Sequence, residues 1–226
     1  MPVRGKALFL TRALKGVLLP RSPRFRRIPF GPAAGVTMMI DFAHQSRHFF
    51  GLYEREIQSH LRRLVVPGTR CFDIGGDVGF YTLALARLSG ERVVVFDPCP
   101  ISIGTMRANF ARNRHPITIV EAAVGAVDGS GRTTIDAAAR THFVPDFIKM
   151  DIEGAEVDAL SGATDILAGR RPHLIIEVHG RAEESACEKI LRAHGYAPIR
   201  VAPGRWLPEE RPAAYNGWLV CEGRRS

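Results

Sequence analysis

Residues 71–79, Cys-Phe-Asp-Ile-Gly-Gly-Asp-Val-Gly, join an apolar run to a helical one through a glycine-rich turn. Gly75, Gly76 and Gly79 let the backbone of such a turn approach a ligand closely. The helix that follows offers free N–H groups at its first turn, suited to a carboxylate. Asp73 ends the first apolar run and Asp97 ends the next. Open α/β sheets place an acid about 20 residues past such glycines, against ribose hydroxyls. A second group of candidates lies further on, in Lys149-Met150-Asp151-Ile152-Glu153-Gly154 and Glu177-Val178-His179. Asp151, Glu153, Glu177 and His179 among them are proton acceptors, and a positioned base is worth about 10²–10⁴-fold in rate. His179 has the intrinsic pKa best matched to neutral pH. Asp151 and Glu153 share a face if the strand continues that far. Each also has an inert reading: Glu153 and Glu156 as first-turn helix acids, Glu177 as the partner of an arginine, His179 as a turn cap. Among Asp151, Glu153, Glu177 and His179 no ligand spacing demands a metal, and none is assigned.

The glycine loop discriminates between cofactor classes. A dinucleotide fingerprint needs G-x-G-x-x-G. From Gly75 the third and sixth positions are Asp77 and Phe80, and from Gly76 they are Val78 and Tyr81, so both registers fail. A phosphate-binding P-loop fails too, because no Gly-Lys-Ser/Thr follows. What stands is D-x-G-x-x-x-G.

The elements that must hold these residues alternate. Strands are expected at 70–74, 92–96, 117–120, 146–150 and 173–178, and helices near 51–65, 81–88, 102–113, 155–167 and 183–193. Continuous apolar strands between amphipathic helices imply an α/β fold, a mostly parallel twisted sheet covered by helices on both faces. Strands at 196–201 and 217–222 have no helix between them and are expected to pair antiparallel at an edge near the C-terminus. Residues 20–35, rich in Pro, Gly and Arg, read as a linker.

At 226 residues and 46% hydrophobic, the chain suits a single α/β domain. The four cysteines form no Cys-x-x-Cys pair, which points to a reducing, cytoplasmic setting rather than a disulfide framework. No apolar run is long enough to span a membrane. The net charge of +8 is an arm effect: residues 1–27 carry eight basic residues and no acid. The rest is formally neutral and lacks the electrostatic footprint of a nucleic-acid binder. Ala7, Leu10, Leu14, Val17 and Leu18 share one helical face of the arm, with Arg4, Lys6, Arg12 and Lys15 mostly elsewhere. Such a helix either packs on its own domain or gives peripheral contact with an anionic membrane surface through residues 1–27.

Four stretches in order, FDIGGDVGFYTLALA (72–86), VVVFDPCPISIGTMRANFARN (93–113), FIKMDIEGAEVDALSGA (147–163) and LIIEVHG (174–180), resemble the FkbM-type methyltransferases. D-x-G-x-x-x-G is similar to motif I of the class I methyltransferases. The resemblance implies their Rossmann-like fold over residues 36–226, preceded by a basic arm and linker at 1–35. It also implies S-adenosylmethionine as the cofactor, bound by Asp73, Gly75, Gly76, Gly79 and Asp97, with Glu121 where such enzymes approach the adenine. The activity it implies is methylation of a hydroxyl on a sugar, glycolipid or secondary metabolite, so the expected partner is a hydroxylated small-molecule or glycan acceptor. Asp151, His179 and Glu153 are the expected catalytic residues. Three departures stand out: Gly76 and Asp77 replace the usual Ala-Asn, Asp97 replaces a common Glu, and the segment between Glu121 and the fourth strand is short. They keep open a cofactor-binding protein with a degenerate acceptor site, and the basic arm keeps open a nucleic-acid methyltransferase. The loop after the fourth strand lacks the Asn/Asp-Pro-Pro-aromatic sequence of amine methylation and the Pro-Cys of 5-methylcytosine chemistry.

Overall fold

The computed structural model describes residues 22–204 and 215–223, so the arm helix expected within residues 1–18 lies outside the described residues. The chain opens with β1 (Arg24–Arg27), β2 (Thr37–Ile40), α1 (Phe42–Phe49) and α2 (Arg55–Leu64). It continues through β3 (Cys71–Ile74), α3 (Phe80–Ser89), β4 (Val93–Phe96), α4 (Pro100–Phe110) and β5 (Ile117–Val120). A short parallel pair, β6 (Ala123–Val124) and β7 (Arg132–Thr133), leads into α5 (Ile135–Thr141) and β8 (Phe147–Met150). Then come α6 (Glu156–Ser161), α7 (Thr164–Ala168), β9 (His173–Val178), α8 (Arg181–Ala193), β10 (Ile199–Val201) and β11 (Gly217–Cys221).

Seven strands form one sheet in the order β10-β11-β9-β8-β3-β4-β5. The five from β9 to β5 are parallel. Strand β11 runs antiparallel to both neighbours, one place in from the edge that β10 closes. Strands β3, β4 and β8 are buried at every position, as continuous apolar runs covered on both faces must be. Alternate residues divide between two cores. Phe72, Phe96, Met150 and Ile176 pack with the helices after β5, while Cys71, Phe147, Ile175 and Trp218 pack with α2, α3 and the N-terminal hairpin. Chain order reverses between β3 and β8, so their carboxyl ends flank the crevice where open α/β sheets take ligands. No helix among the described residues is long and apolar enough to cross a membrane.

Two expectations are corrected. Much of the 20–35 stretch is not a linker: β1 pairs with β2, and Ile28 and Ala33 between them are fully buried. Arg24, Arg26 and Arg27 hide this hairpin from a composition reading, and helix α4 fixes it. Asn109 Oδ1 accepts from Met39 N at 2.8 Å, and Asn113 bonds both N and O of Thr37. The helix expected over 155–167 breaks in two, because the carbonyl of Gly125 approaches Gly162 so closely that a Cβ there would lie 2.2 Å from it.

One ionisable group is built into the central strand. Asp73 is 0% exposed, and its Oδ2 accepts from Thr82 Oγ1 at 2.6 Å, tying β3 to α3. Burial pushes its carboxyl from 3.8 up to about 6, against the pull of Lys149 and Thr82.

Ile28→Ala is expected to cost roughly 2–5 kcal/mol in urea unfolding; a change within about 0.5 kcal/mol, the usual surface value, would return this segment to the status of a linker. Asp73→Asn tests the buried carboxyl. Because the folded state favours its neutral form, the stability of the parent chain should fall as pH rises from about 4 through 6. Removing the ionisation should therefore help more at pH 7.5 than at pH 4.5, by on the order of 1–3 kcal/mol. A difference independent of pH would refute the assignment.

Candidate active site

The carboxyl ends of β3, β4 and β8 open on a cavity of about 430 Å³, within the roughly 300–1,000 Å³ of ligand pockets. One end is backbone and carboxylate. Gly75, Gly76, Asp77 and Val78 line it, with Asp97, Pro98 and Cys99 opposite. Asp97 Oδ2 accepts from Asp77 N at 3.0 Å and Oδ1 from Cys99 N at 2.8 Å. A carboxylate has about four acceptor sites, so two remain for a diol. Asp77 sits in the left-handed region at φ 45, which its short side chain tolerates better than most.

Close approach requires glycine at one position of this loop and favours it at the next. A Cβ on Gly75 would fall 1.7 Å from the carbonyl oxygen of Asp151, and one on Gly76 would meet Val95 Cγ2 at 2.4 Å and Met106 Sδ at 2.6 Å. The more usual alanine at 76 would therefore require Val95 of β4 and Met106 of α4 to shift.

The other end of the cavity is aromatic and charged. His48 stacks on Tyr53 at 4.0 Å and meets Phe80 edge-on at 4.7 Å. Burial lowers the His48 pKa to about 4, so its ring is neutral, and its Nδ1 has no partner among the described residues. Lys149, 2% exposed, donates to Asp151 Oδ2 at 3.2 Å and lies 4.8 Å from the Tyr81 ring centre. Burial would lower this ammonium, but Asp151, Glu54, Asp73 and Glu177 raise it above the ordinary lysine value. Burial likewise pushes Asp151 up, yet Lys149 and His179 hold it below the usual carboxylate range.

His179 sits among four carboxyl groups. Its Nδ1 is 3.1 Å from Glu156 Oε1; its Nε2 is 3.5 Å from Asp151 Oδ1, 3.6 Å from Glu153 Oε2 and 4.0 Å from Glu177 Oε1. The Glu156 bond, opposed by burial and aided by Asp151 and Glu153, pushes its pKa up to about 9. The ring therefore carries its proton at neutral pH and is not the ready base that its intrinsic pKa suggests.

The structure brings Gly75, Gly76, Asp97, Asp151 and Glu153 to one cavity. Asp151 and Glu153 do not share a strand face: β8 ends at Met150, and Glu153 turns left-handed at φ 55. His179 adjoins the cavity through Asp151 and Glu153. Three other expected residues stand back from the wall. Asp73 is sealed beneath the loop on Thr82. Gly79 caps α3, where a Cβ would strike the Phe110 ring at 2.6 Å. Glu121 turns outward to bond Arg107, leaving Ala122, Ala123 and Val124 at the cavity.

Sequence reasoning missed His48, Tyr53 as a wall residue, and Glu54. Glu54 is buried beside Lys149 and Tyr81, with φ 42. Burial raises its pKa to about 8, against Lys149. Nothing local marks it, since an acid before a helix reads as an ordinary surface residue.

A family profile, the methyltransferase FkbM domain, matches residues 131–198. No curated protein matches the chain. Among solved structures, the FkbM methyltransferase from Methylobacillus flagellatus KT is 20% identical with a TM-score of 0.53; the match covers 97% of this chain and 59% of that one, so the present chain spans well under two thirds of that protein. The ribosomal protein L11 methylase from Lactobacillus delbrueckii subsp. bulgaricus aligns at 15% identity and TM-score 0.57, covering 77% of this chain and 80% of that one. Fibrillarin from Aeropyrum pernix, solved with natively bound S-adenosyl-L-methionine, aligns at 12% identity and TM-score 0.53, covering 70% and 68%. Residues 131–198 thus match the FkbM methyltransferase domain, and the fold is that of the methyltransferase structures it aligns with.

Proposed function

We propose that this chain transfers a methyl group from S-adenosylmethionine to a hydroxyl of a sugar, glycolipid or related secondary metabolite. The observation that carries the reading is one continuous cavity. It joins a glycine loop and a carboxylate with free acceptor sites at one end to an ionised Asp151 at the other. The residues present fit the cofactor. Asp97 suits a ribose diol, Ala122–Val124 leave a small apolar flank for a base, and the loop at 75–78 meets the amino-acid end.

Bound there, S-adenosylmethionine supplies an electrophilic methyl on a sulfonium sulfur, which departs as a neutral thioether. The chain does the rest. His48, Tyr53 and Phe80 form an aromatic wall of the cavity that would limit water at the reacting end, and the turn at 151–154 would place the acceptor hydroxyl. Positioning of this kind is worth up to about 7–11 kcal/mol. The Asp151 carboxylate would take the proton that an acceptor hydroxyl gives up on methylation. A carboxylate held below its usual pKa is a weak base for a resting alcohol, but it suits a proton that becomes acidic only as the bond forms.

Calorimetry with S-adenosylhomocysteine should show one site per chain, and labelled methyl should pass to a hydroxylated extract; a folded chain that takes up neither cofactor form would end the reading. Asp151→Asn should lower kcat by about 10²–10⁴-fold while leaving S-adenosylhomocysteine affinity nearly unchanged, measured on the same acceptor. Asp77→Asn removes a negative charge from the loop that meets the cofactor carboxylate. It should tighten binding by roughly fivefold, the equivalent of about 1 kcal/mol; weaker binding would place that carboxylate elsewhere.

A further inference from the structure

We propose that Asp151, Glu177 and His179 form a binding site for a hexacoordinate divalent cation of the manganese or magnesium type, with Glu153 closing it from the cavity side. One ligand atom from each of the first three lies within 4.8 Å of the other two. The spacing suits a metal better than direct ion pairs. In an octahedron with bonds of about 2.1 Å, neighbouring donors stand roughly 3 Å apart and opposite donors roughly 4.2 Å. His179 Nε2 stands 3.5, 3.6 and 4.0 Å from oxygens of Asp151, Glu153 and Glu177, between those values and beyond hydrogen-bond length.

The surroundings are those of a supported site. His179 Nδ1 faces Glu156 Oε1 at 3.1 Å, the carboxylate–histidine pairing that fixes the ring, and a metal at Nε2 would displace that nitrogen's proton to solvent. Glu156 is 0% exposed; Gly154 N also donates to its Oε1, and its other oxygen has no partner among the described residues. Asn216 Nδ2 holds Glu177 Oε1 at 2.9 Å, while Asn216 Oδ1, on a side chain nine-tenths buried, has no partner among the described residues. The β9–β11 register places Asn216 one step before the Gly217↔Val178 pair, level with His179, so this buried amide sits beside the cluster. Lys149 occupies only Asp151 Oδ2, and Oδ1 is the oxygen turned to His179. An oxygen-rich set with one imidazole favours manganese, with magnesium binding more weakly.

The site stands on its own geometry; only its role rests on the methyltransferase reading. Asp151 belongs both to the cluster and to the cavity wall, and Glu153 lines the wall beside it. A cation there would meet the acceptor oxygen, raise the acidity of its proton and orient it toward the methyl group.

The test is Mn²⁺ titration of the full chain, following the loss of the free-ion electron paramagnetic resonance signal, with S-adenosylhomocysteine calorimetry on the same samples. One Mn²⁺ per chain at micromolar to submillimolar concentration is expected. His179→Gln, Asp151→Asn and Glu177→Gln should each weaken binding at least tenfold, and Asp165→Asn, remote from the cluster, should not. Glu156→Gln, acting through the His179 ring, should weaken it by about 10–100-fold. Any one of the three ligand variants that stays folded by circular dichroism carries the test. No bound Mn²⁺ at millimolar ion, or equal binding by parent and folded variants, would overturn the site. Homocysteine-cofactor binding without Mn²⁺ removes the metal alone, whereas Mn²⁺ binding without the cofactor removes the methyltransferase reading and leaves the metal.

Discussion

A single buried ammonium holds the centre of this molecule together. Lys149 lies in the strand beside the topological switch, almost sealed from water, with Asp151 in hydrogen-bond contact and Glu54, Asp73 and Glu177 acting on it through space. Burial alone would strip its proton, and the surrounding carboxyl groups reverse that sign. The dependence is mutual. Without the ammonium, Asp151 would lose the strongest force holding it ionised, and Glu54 would lose the one group that pulls its raised pKa down most. Such a cluster contributes little net stability compared with apolar packing, but removal of one member leaves the others charged and uncompensated. Its effect is to fix which groups at the cavity floor carry charge.

Contacts between the two halves of the cavity make them mechanically one. Asp151 N donates to Ile74 O at 2.8 Å, and the Asp151 carbonyl sits where any side chain at 75 would be. The cofactor loop and the acid-bearing turn are therefore stacked backbone on backbone. A shift of one by an ångström displaces the other, which matters for a reaction whose main gain is orientation. Gly76 and Gly79 press the same loop onto Met106 and Phe110 of α4, and α4 in turn holds β2 through Asn109 and Asn113. The N-terminal hairpin thus braces the loop from behind.

Residues that speak through their neighbours in sequence were legible; those that speak through distant partners were not. The strand limits at 117–120 and 173–178 match observation, and the other parallel strands are off by a residue, because buried parallel strands are unbroken apolar runs bounded by turn residues. The hairpin escaped notice because Arg24, Arg26 and Arg27 make its first strand resemble a solvated arm, while the burial belongs to Ile28, Met38 and Ile40. The glycine loop and Asp97 were readable from spacing, and Asp151 and Glu153 from their place after a strand. Glu121 and Asp73 were located in the chain but not in direction: only the fold shows Arg107 drawing one outward and Thr82 holding the other below the loop. His179 was legible as a residue but its surroundings were not, because the group that sets its proton, Glu156, comes from a different element. Glu54 carries no signal at all in sequence.

The polarity of the cavity also bears on which acceptor suits it. Asp151 and Glu153 face the open end, with Glu156 and Glu177 close behind. Two like charges about 4 Å apart repel by about 1 kcal/mol in bulk water and by about 4 at an effective dielectric of 20. A phosphate, whether of a nucleic-acid backbone or a sugar phosphate, would meet that repulsion at the place where its neighbouring hydroxyl must sit. A neutral polyol would not, and its hydroxyls find acceptors already oriented by Lys149 and Asn216. Without a cation this acidic floor opposes an anionic group, and a divalent ion held by Asp151, Glu177 and His179 would offset that bias.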